Sequence, residues 1–146
     1  MEFVHKLASK KIKVSSSDAS GDQLRKKWEE VFAAHLTALE KRQIHLHNYK
    51  GANGYLWHLF SYEKRDCKKE EDADLAFDKQ YKNTCLIFFQ HSDEVLLVEE
   101  ASDLKAKDLI LAEGEYADLY IVDQEFKWTY IVTHERGWIG PFFCRR

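Results

Sequence analysis

Residues 119–143 read LYIVDQEFKWTYIVTHERGWIGPFF and contain two apolar runs that are rich in β-branched and aromatic side chains. A short polar segment, residues 123–126, separates the two runs, and a Gly-Pro pair follows the second one. Runs of this composition around a short turn are typical of a β-hairpin. Asp123 is favoured at the first turn position because its carboxylate accepts backbone N–H bonds. The stretch therefore predicts a hairpin followed by a last short strand.

The second run sorts its side chains by the two-residue period of a strand. Trp128, Tyr130 and His134 fall on one side, whereas Glu135 falls on the other. This alternation separates His134 from Glu135 as an acid–base pair unless the chain bends, and Gly137 permits such a bend.

Helical periodicity is clearest over residues 22–41, where apolar side chains recur about every 3.6 positions. Ser20 and Gln23 have the spacing of a capping box, which predicts that this helix begins there. Residues 70–80 predict a second helix, and Ser102 can cap a short helix that runs to about residue 109.

Other segments predict strands. Residues 84–90 and 95–98 are apolar on both parities and are joined by a polar four-residue turn, which indicates a buried hairpin. Residues 55–62 (YLWHLFSY) also have apolar side chains on both sides, which predicts a strand that is covered on both faces. Residues 1–14 show a weaker pattern of a helix followed by a strand.

These elements predict one α+β domain over residues 1–146. An N-terminal helix or helices should pack on a largely antiparallel sheet of about five strands, because hairpin-length turns join consecutive apolar runs. Residues 1–20 are expected to form a loosely attached segment and loop. A chain of 146 residues can bury one core without a disulfide or a metal.

The composition, with 45% hydrophobic and 14% aromatic residues, is that of a soluble globular protein. No apolar run reaches the roughly 18 residues of a membrane span, and no signal-like segment opens the chain. Three cysteines (Cys67, Cys85 and Cys144) suggest neither a disulfide framework nor a zinc knuckle. We therefore expect a cytoplasmic protein with reduced thiols, no cofactor and no membrane contact.

The formal net charge of -3 conceals an uneven distribution. Residues 1–50 contain ten Lys or Arg and six Asp or Glu, whereas residues 93–118 contain nine acidic residues and two Lys. The basic part lacks the excess expected of a nucleic-acid-binding protein. Residues 99–118, with Glu113 and Glu115, could instead steer a basic protein partner. The alternative is that both charged regions are only solvated surface.

Side chains that could perform chemistry are few, since the sequence contains no phosphate loop, dinucleotide turn, nucleophile elbow or metalloprotease helix motif. His58, His134, Glu135 and Cys144 could form a hydrolytic or thiol-based site if their strands were neighbours. The alternative is that both histidines are buried packing residues, that Glu135 caps the bend and that Cys144 is inert.

His45 and His47 flank Leu46, so an extended chain would direct both imidazoles to one side. A zinc site needs at least three protein ligands, and this motif supplies two. The alternative is a surface loop, because the residues that follow are rich in turn formers.

Eight of the twenty aromatic residues lie within residues 116–143, which is more than one face of a strand pair can bury. Trp138 stands between glycines and close to Arg136, so it is the best candidate for an exposed anchor at an interface. The alternative is that its ring folds back and closes the edge of the core.

The segments LWHLFSYE, LIFFQ, YIVDQEFKWTYIVTHE and GPFFC resemble a family of small bacterial proteins described only as a domain of unknown function and found mainly in Bacillus-like Firmicutes. The resemblance extends from about Leu24 onward. It implies a cytoplasmic bacterial protein and brings no mechanism. In general appearance the family is similar to immunity-type α+β proteins, which neutralise toxins by binding them.

The favoured function is therefore a non-enzymatic protein-binding factor, of an immunity-like or regulatory kind, that uses the acidic segment and Trp138. The protein would be a monomer, or a homodimer formed through the aromatic face of the hairpin. The alternative is a small hydrolase or metal-dependent enzyme built on the histidine, glutamate and cysteine side chains named above.

Overall fold

The computed structural model describes residues 2–47, 54–110 and 118–146. Within these ranges the chain forms five α-helices and one seven-stranded sheet. The helices are α1 (Glu2–Ser9), α2 (Gly21–Phe32), α3 (Ala38–Gln43), α4 (His58–Ser61) and α5 (Glu70–Lys79). The strands are β1 (Lys13–Ser16), β2 (Lys68–Lys69), β3 (Cys85–Phe89), β4 (Val95–Glu99), β5 (Leu119–Asp123), β6 (Trp128–Val132) and β7 (Phe142–Arg145).

The strands lie in the order β1-β4-β3-β5-β6-β7-β2, and all neighbouring pairs are antiparallel. The two predicted hairpins are present as β3–β4 and β5–β6. Asp123 Oδ1 accepts backbone N–H bonds from Lys127 at 2.6 Å and from Trp128 at 3.3 Å, which confirms its predicted place in the turn. The β5–β6 hairpin lies inside the sheet, between β3 and β7.

Both faces of the sheet are covered by helices. Along β5, Leu119 and Ile121 enter one core, whereas Tyr120 and Val122 enter the other. We call the first the α5 face, because α5 covers it together with α1, and the second the α2 face, which α2 and α4 cover. Strands that are buried on both sides need apolar residues at every position, which explains why the central runs show no polar alternation.

Trp28 fixes α2 on its face of the sheet and is fully buried. Its indole Nε1 donates a hydrogen bond to Thr129 Oγ1 of β6 at 3.0 Å, so both polar groups are satisfied inside the core. The ring also lies 5.1 Å from Phe32, 6.0 Å from Phe60 and 5.9 Å from Tyr120, between centroids. One side chain therefore joins α2, α4 and the centre of the sheet.

The start of α2 follows the sequence prediction. Ser20 Oγ accepts a bond from Gln23 N at 3.1 Å, and the Gln23 carboxamide accepts one from Ser20 N at 3.2 Å. Gly21 N donates to Asp93 O at 2.9 Å, and a Cβ on Gly21 would lie 2.5 Å from Ser92 O. Only glycine allows the helix to begin this close to the β3–β4 turn.

The single helix predicted over residues 22–41 is wrong, because the chain forms two helices there. α2 ends at Phe32, and a second capping box starts α3: Thr37 Oγ1 accepts from Glu40 N at 3.1 Å, and Glu40 Oε1 accepts from Thr37 N at 2.9 Å. Leu39 continues the apolar period of the sequence, but because of the break its side chain is 56% exposed.

Two further predictions of element type are wrong. Residues 55–62 form a turn and the short helix α4, although Leu56, Trp57, Leu59 and Phe60 are buried as expected. A short run that is apolar in every direction fits a buried helical turn as well as a buried strand. The helix predicted from Ser102 is two 3-10 helices, Ala101–Asp103 and Ala106–Leu109, and Ser102 caps neither of them.

The sheet has more strands than the predicted five, because two short edge strands join it. β1 pairs with β4, and Leu7 of α1 is fully buried, so the N-terminal segment packs on the sheet. β2 consists of Lys68 and Lys69, which pair with β7 but have no strand-like composition. No helix in the described part of the chain is long and apolar enough to cross a membrane.

Candidate functional site

Four rings surround the ring of Tyr55. Trp57 stacks on it with 5.0 Å between centroids, while His58 and His91 each lie at 5.4 Å and His134 at 5.3 Å. We call these five residues the Tyr55 cluster. They come from α4 and the segment that leads into it, from the β3–β4 turn and from the residues after β6, so the cluster exists only in the folded chain.

Asp118 is the carboxylate that organises this cluster, and it is 4% exposed. Its Oδ1 accepts hydrogen bonds from Trp57 Nε1 at 2.8 Å, from the His134 backbone N at 2.9 Å and from His134 Nδ1 at 2.9 Å. A buried carboxylate needs donors of this kind to offset the loss of water. Asp118 therefore fixes the positions of both Trp57 and His134.

The contact with Asp118 also determines which ring nitrogen of His134 carries the proton. Since a carboxylate only accepts, Nδ1 is the donor, and in the neutral ring Nε2 carries the lone pair. Nε2 lies 3.6 Å from Glu135 Oε1, and the imidazole side chain is 29% exposed. A histidine held in this way can take a proton from water or a substrate through Nε2.

A second network holds Tyr55 and Trp57 against the sheet. Leu56 N donates to Gln90 Oε1 at 3.0 Å, and Trp57 N donates to the Tyr120 hydroxyl at 3.2 Å. The Tyr120 hydroxyl in turn donates to Gln90 Oε1. The turn before α4 is thereby fixed to β3 and β5 by its backbone, which leaves the Tyr55 ring positioned among the histidines.

His58 is half-buried, and its Nδ1 donates to the His45 carbonyl at 2.9 Å. Burial lowers the pKa of His58 below the usual value of 6.5, and this outweighs the opposing effect of the backbone hydrogen bonds. The imidazole of His58 is therefore neutral at pH 7.

The structure brings three of the four predicted catalytic residues together. His58 and His134 both contact Tyr55 and Trp57, and Glu135 lies beside His134 Nε2. The structure therefore groups His58, His134 and Glu135 around Tyr55 and Trp57, and the hydrolytic hypothesis stays a prediction.

Cys144 does not belong to the Tyr55 cluster. It pairs with Thr129 near the start of β6, whereas His134 follows the end of that strand. Cys144 is 4% exposed, burial raises the pKa of its thiol, and Arg65 Nε donates to its Sγ at 3.1 Å. The predicted thiol-based site with the two histidines is therefore not formed.

The bend that the sequence leaves open as the alternative is present and brings His134 to Glu135, whereas the predicted grouping of His134 with Trp128 and Tyr130 is wrong. β6 ends at Val132, and the following residues turn back, with Trp138 N donating to Glu135 O at 2.8 Å. The strand period no longer applies after this bend. The ring of His134 consequently meets Tyr55 and Trp57 instead of the aromatic residues of β6.

The His45–His47 pair does not have the extended geometry that the metal hypothesis requires. His45 has a positive φ of 53° and an exposed side chain, whereas the His47 Nε2 bonds Glu29 Oε1. Burial alone would raise the pKa of Glu29, but the contacts with His47 and Lys41 lower it overall. In the residues that the structure describes, no group of three or more His, Cys, Asp or Glu could hold a metal ion.

Trp138 is the most exposed large hydrophobic residue in the described ranges, at 85%. It lies on residues 133–140, which we call the Trp138 loop. Thr133 Oγ1 donates to Ile139 O at 2.5 Å, and Arg136 Nη2 donates to Asp74 Oδ2 of α5 at 3.2 Å. Asp74 also accepts a bond from the Tyr130 hydroxyl at 2.5 Å. Arg136 therefore ties the loop to α5, and the indole projects from a fixed base.

A depression of about 390 Å³ lies next to the Trp138 loop. Its lining includes Glu70, Glu71 and Asp74 at the start of α5, as well as Arg136 and Gly137. The side chains of Glu70 and Glu71 are exposed. The depression beside the Trp138 loop therefore carries two exposed carboxylates.

The acidic segment of residues 99–118 is a less complete surface than the sequence suggests. Asp108 is 1% exposed and forms an ion pair with Lys10 Nζ at 2.8 Å, and Asp118 is used inside the Tyr55 cluster. Glu113 and Glu115, which the sequence puts forward as binding residues, lie outside the described residues.

The sequence does not indicate that Asp118 and Tyr55 belong to one site, because Asp118 is part of an acidic run and Tyr55 opens a run that predicts a strand. The available signal is that Asp118 immediately precedes a strand buried on both faces, where a carboxylate must find internal donors. No local pattern reveals which donors these are.

The seven-stranded antiparallel sheet lies between two helical layers, which defines this chain as an α+β protein. A histidine that a buried carboxylate holds lies at the end of the central hairpin. The chain belongs to the family described as Domain of unknown function (DUF4275), whose model matches residues 1–143. The match extends to the N-terminal segment, beyond the resemblance that starts near Leu24. Comparisons with curated proteins and with solved structures found no match.

The lowered pKa of His58 predicts how stability depends on pH. The folded state binds a proton on His58 more weakly than the unfolded state does, so the unfolded state takes up more protons as pH falls below about 6.5. The free energy of unfolding should fall in that range, and His58→Gln should make it fall less steeply. An NMR titration should give a His58 midpoint below 6.5, and a midpoint at or above 6.5 would contradict the assignment.

Proposed function

We propose that this protein is a non-enzymatic protein-binding factor that docks a basic partner protein on the Trp138 loop and on the adjacent carboxylates of Glu70 and Glu71. The observation that carries the proposal is the 85% exposure of Trp138 on a fixed loop. A tryptophan side chain buries about 200 Å² when it is covered. At about 25 cal/mol per Å², covering it stabilises a complex by up to about 5 kcal/mol.

The loop is suited to binding because it is already ordered. The contacts of Arg136 with Asp74 and of Thr133 with Ile139 hold its backbone in place. Ordering a mobile loop opposes association, and a preorganised loop avoids much of that free energy. An aromatic side chain on such a base is typical of the residues that dominate binding energy.

The charge next to Trp138 favours a partner with Lys or Arg around an apolar pocket. Glu70 and Glu71, with the exposed Asp72, form an acidic first turn of α5. Complementary charge accelerates encounter and selects the partner. An immunity-like or regulatory role in a bacterial cytoplasm fits this chemistry and the family resemblance, and it is part of the proposal.

A homodimer through the aromatic face of the hairpin is less compatible with the fold. Phe77 of α5 stacks on Tyr130 with 4.4 Å between centroids and meets Trp128 at 5.8 Å. That face is therefore covered within one chain, and α5 would have to leave it before a second copy could bind there.

Substitution of Trp138 tests the proposal. Tagged wild-type protein, Trp138→Ala and Tyr81→Ala are each used at low salt to capture proteins from extracts of the cells that make the protein. Tyr81 is 80% exposed and serves as the matched aromatic control. Wild type and Tyr81→Ala should retain one basic protein in stoichiometric amount, and Trp138→Ala should bind the purified partner at least about tenfold more weakly by calorimetry.

The stability of the three proteins separates lost binding from lost folding. Because Trp138 is exposed, its replacement should change the free energy of unfolding in urea by less than about 0.5 kcal/mol. The proposal is wrong if wild type retains no stoichiometric partner, or if Trp138→Ala binds that partner as tightly as wild type does.

A second candidate function is general-base hydrolysis at His134, which the contact between His134 Nδ1 and Asp118 Oδ1 favours. In this function Nε2 takes a proton from a water molecule, whose oxygen attacks an activated carbonyl or phosphoryl group. Asp118 stabilises the imidazolium that forms, and Nε2 then returns the proton to the leaving group as its bond to the carbon or phosphorus breaks. Neutral His58, across Tyr55, could accept or relay a proton in the same cluster.

Hydrolysis of p-nitrophenyl acetate and bis-p-nitrophenyl phosphate tests this second function. Wild type and Cys144→Ser should turn over at equal rates above the buffer, because Cys144 lies outside the cluster. His134→Gln should lose about a hundredfold or more in rate. Absence of turnover by wild type, or full activity of His134→Gln, would exclude the general-base function for these substrate classes.

A further inference from the structure

Cys67 directly precedes β2 and Cys144 lies in β7, so the register of this edge of the sheet can be extended to both cysteines. The β2–β7 ladder pairs Lys68 with Phe143 and Lys69 with Phe142. In an antiparallel ladder each step back along one strand is a step forward along the other. The next position beyond Lys68 and Phe143 therefore places Cys67 opposite Cys144.

The hydrogen bonds of this edge identify the kind of position. Glu70 N donates to Pro141 O at 2.9 Å, so these two residues face each other at a hydrogen-bonded position. Hydrogen-bonded and non-hydrogen-bonded positions alternate along an antiparallel pair. Counting three steps from Glu70 and Pro141 makes Cys67 and Cys144 a non-hydrogen-bonded pair, in which the side chains are closest.

The distance expected at such a position suits a disulfide. Cα atoms of a non-hydrogen-bonded pair lie about 4.5 Å apart. Disulfides join Cα atoms that are roughly 4.4 to 6.8 Å apart. Bridging these cysteines thus requires rotation of their side chains and little movement of the backbone.

Both thiols lie on the α2 face. Cys144 belongs to the core of that face, and Cys67 packs against the same core. Burial raises the pKa of Cys67 to about 11, and the neighbouring Cys144 thiol adds to this increase, which is consistent with two adjacent sulfurs. Both cysteines are free in the structure.

We propose that Cys67 and Cys144 form a reversible cross-strand disulfide by exchange with a small-molecule disulfide. Cys67 reacts first, because it is partly exposed while Cys144 is 4% exposed. Its thiolate attacks one sulfur of the external disulfide, forms a mixed disulfide and releases one thiolate. The Cys144 thiolate then attacks the Cys67 sulfur and expels the second thiolate.

The exchange balances without any further reactant. The two protein thiols are oxidised to one disulfide, and the external disulfide is reduced to two thiols. The two protons that leave the cysteines are taken up by the two released thiolates. A thiol reductant runs the same two steps in reverse.

Arg65 is placed to assist the second step as a positioning residue. Its Nε donates to Cys144 Sγ at 3.1 Å, and its Nη1 donates to Phe32 O at 3.0 Å, which fixes the guanidinium. Burial raises the pKa of the Cys144 thiol, and both the hydrogen bond and the charge of Arg65 oppose this increase. The positive charge therefore favours the thiolate that resolves the mixed disulfide.

Incubation of the reduced, folded full-length protein with oxidised glutathione tests the proposal. Intact mass should show the loss of two hydrogen atoms, and peptide mapping without reduction should link Cys67 to Cys144. Cys85→Ser should behave in the same way. Cys144→Ser should stop as a mixed disulfide at Cys67, and Cys67→Ser should take up glutathione much more slowly because Cys144 is buried.

The rate and the reversal provide two further readouts. Since the pKa of Cys67 is about 11, the initial rate should rise about tenfold for each pH unit between pH 7 and 9. Dithiothreitol should restore the original mass. The disulfide should also raise the urea midpoint of unfolding for wild type and Cys85→Ser alike.

Three results would overturn the proposal. One is the absence of a Cys67–Cys144 link at equilibrium with excess oxidised glutathione at pH 9. Another is a link that involves Cys85 in the folded protein. The third is an equally fast uptake of glutathione by Cys67→Ser, which would show that Cys144 is not shielded.

Discussion

The β5–β6 hairpin is buried on both of its faces, and this constraint determines most of the remaining structure. Tyr120 and Ile131 need cover on the α2 face, while Ile121 and Tyr130 need it on the α5 face. One helical layer could satisfy only one face, so helices from different parts of the chain pack on each side. The bond between Trp28 and Thr129 shows the same constraint at a polar position, because a threonine inside the sheet must find its partner within the α2 layer.

The functional candidates follow from where the hairpin strands begin and end. Leu119 lies opposite Val132. Asp118 precedes β5 and His134 follows β6, so the two residues meet at the open end of the hairpin. His134 lies at the start of the Trp138 loop, which Arg136 ties to α5 through Asp74. Cys144 lies toward the other end of β6, which explains why it contacts Arg65 and not the histidines.

The sequence predicts elements well where composition leaves one solution. The hairpins, the helix of residues 70–80 and the capping box at Ser20 are of this kind, since turn chemistry and periodicity agree there. The strand predicted over residues 55–62 is wrong, because four buried apolar side chains in a short run fit both a strand and a helical turn. Thr37 and Glu40 have the spacing of a capping box, which indicates a new helix start at α3. The apolar period continues across this point and favours a single helix instead. β2 is a pair of lysines whose strand geometry depends on pairing with β7. The proximity of His58, His134 and Glu135 depends on Asp118. Both features arise from tertiary contacts, which a local sequence pattern does not reveal.

Native-state hydrogen exchange tests most directly the claim that the doubly buried hairpin is the most stable part of the fold. The free energies of opening for the Ile121 and Tyr130 amides should equal the global free energy of unfolding measured in urea, because neither face can open without the loss of a helical layer. Amides of the edge strands β1 and β2 should open at lower free energies. Exchange of Ile121 and Tyr130 through local openings, well below the global free energy, would contradict the account.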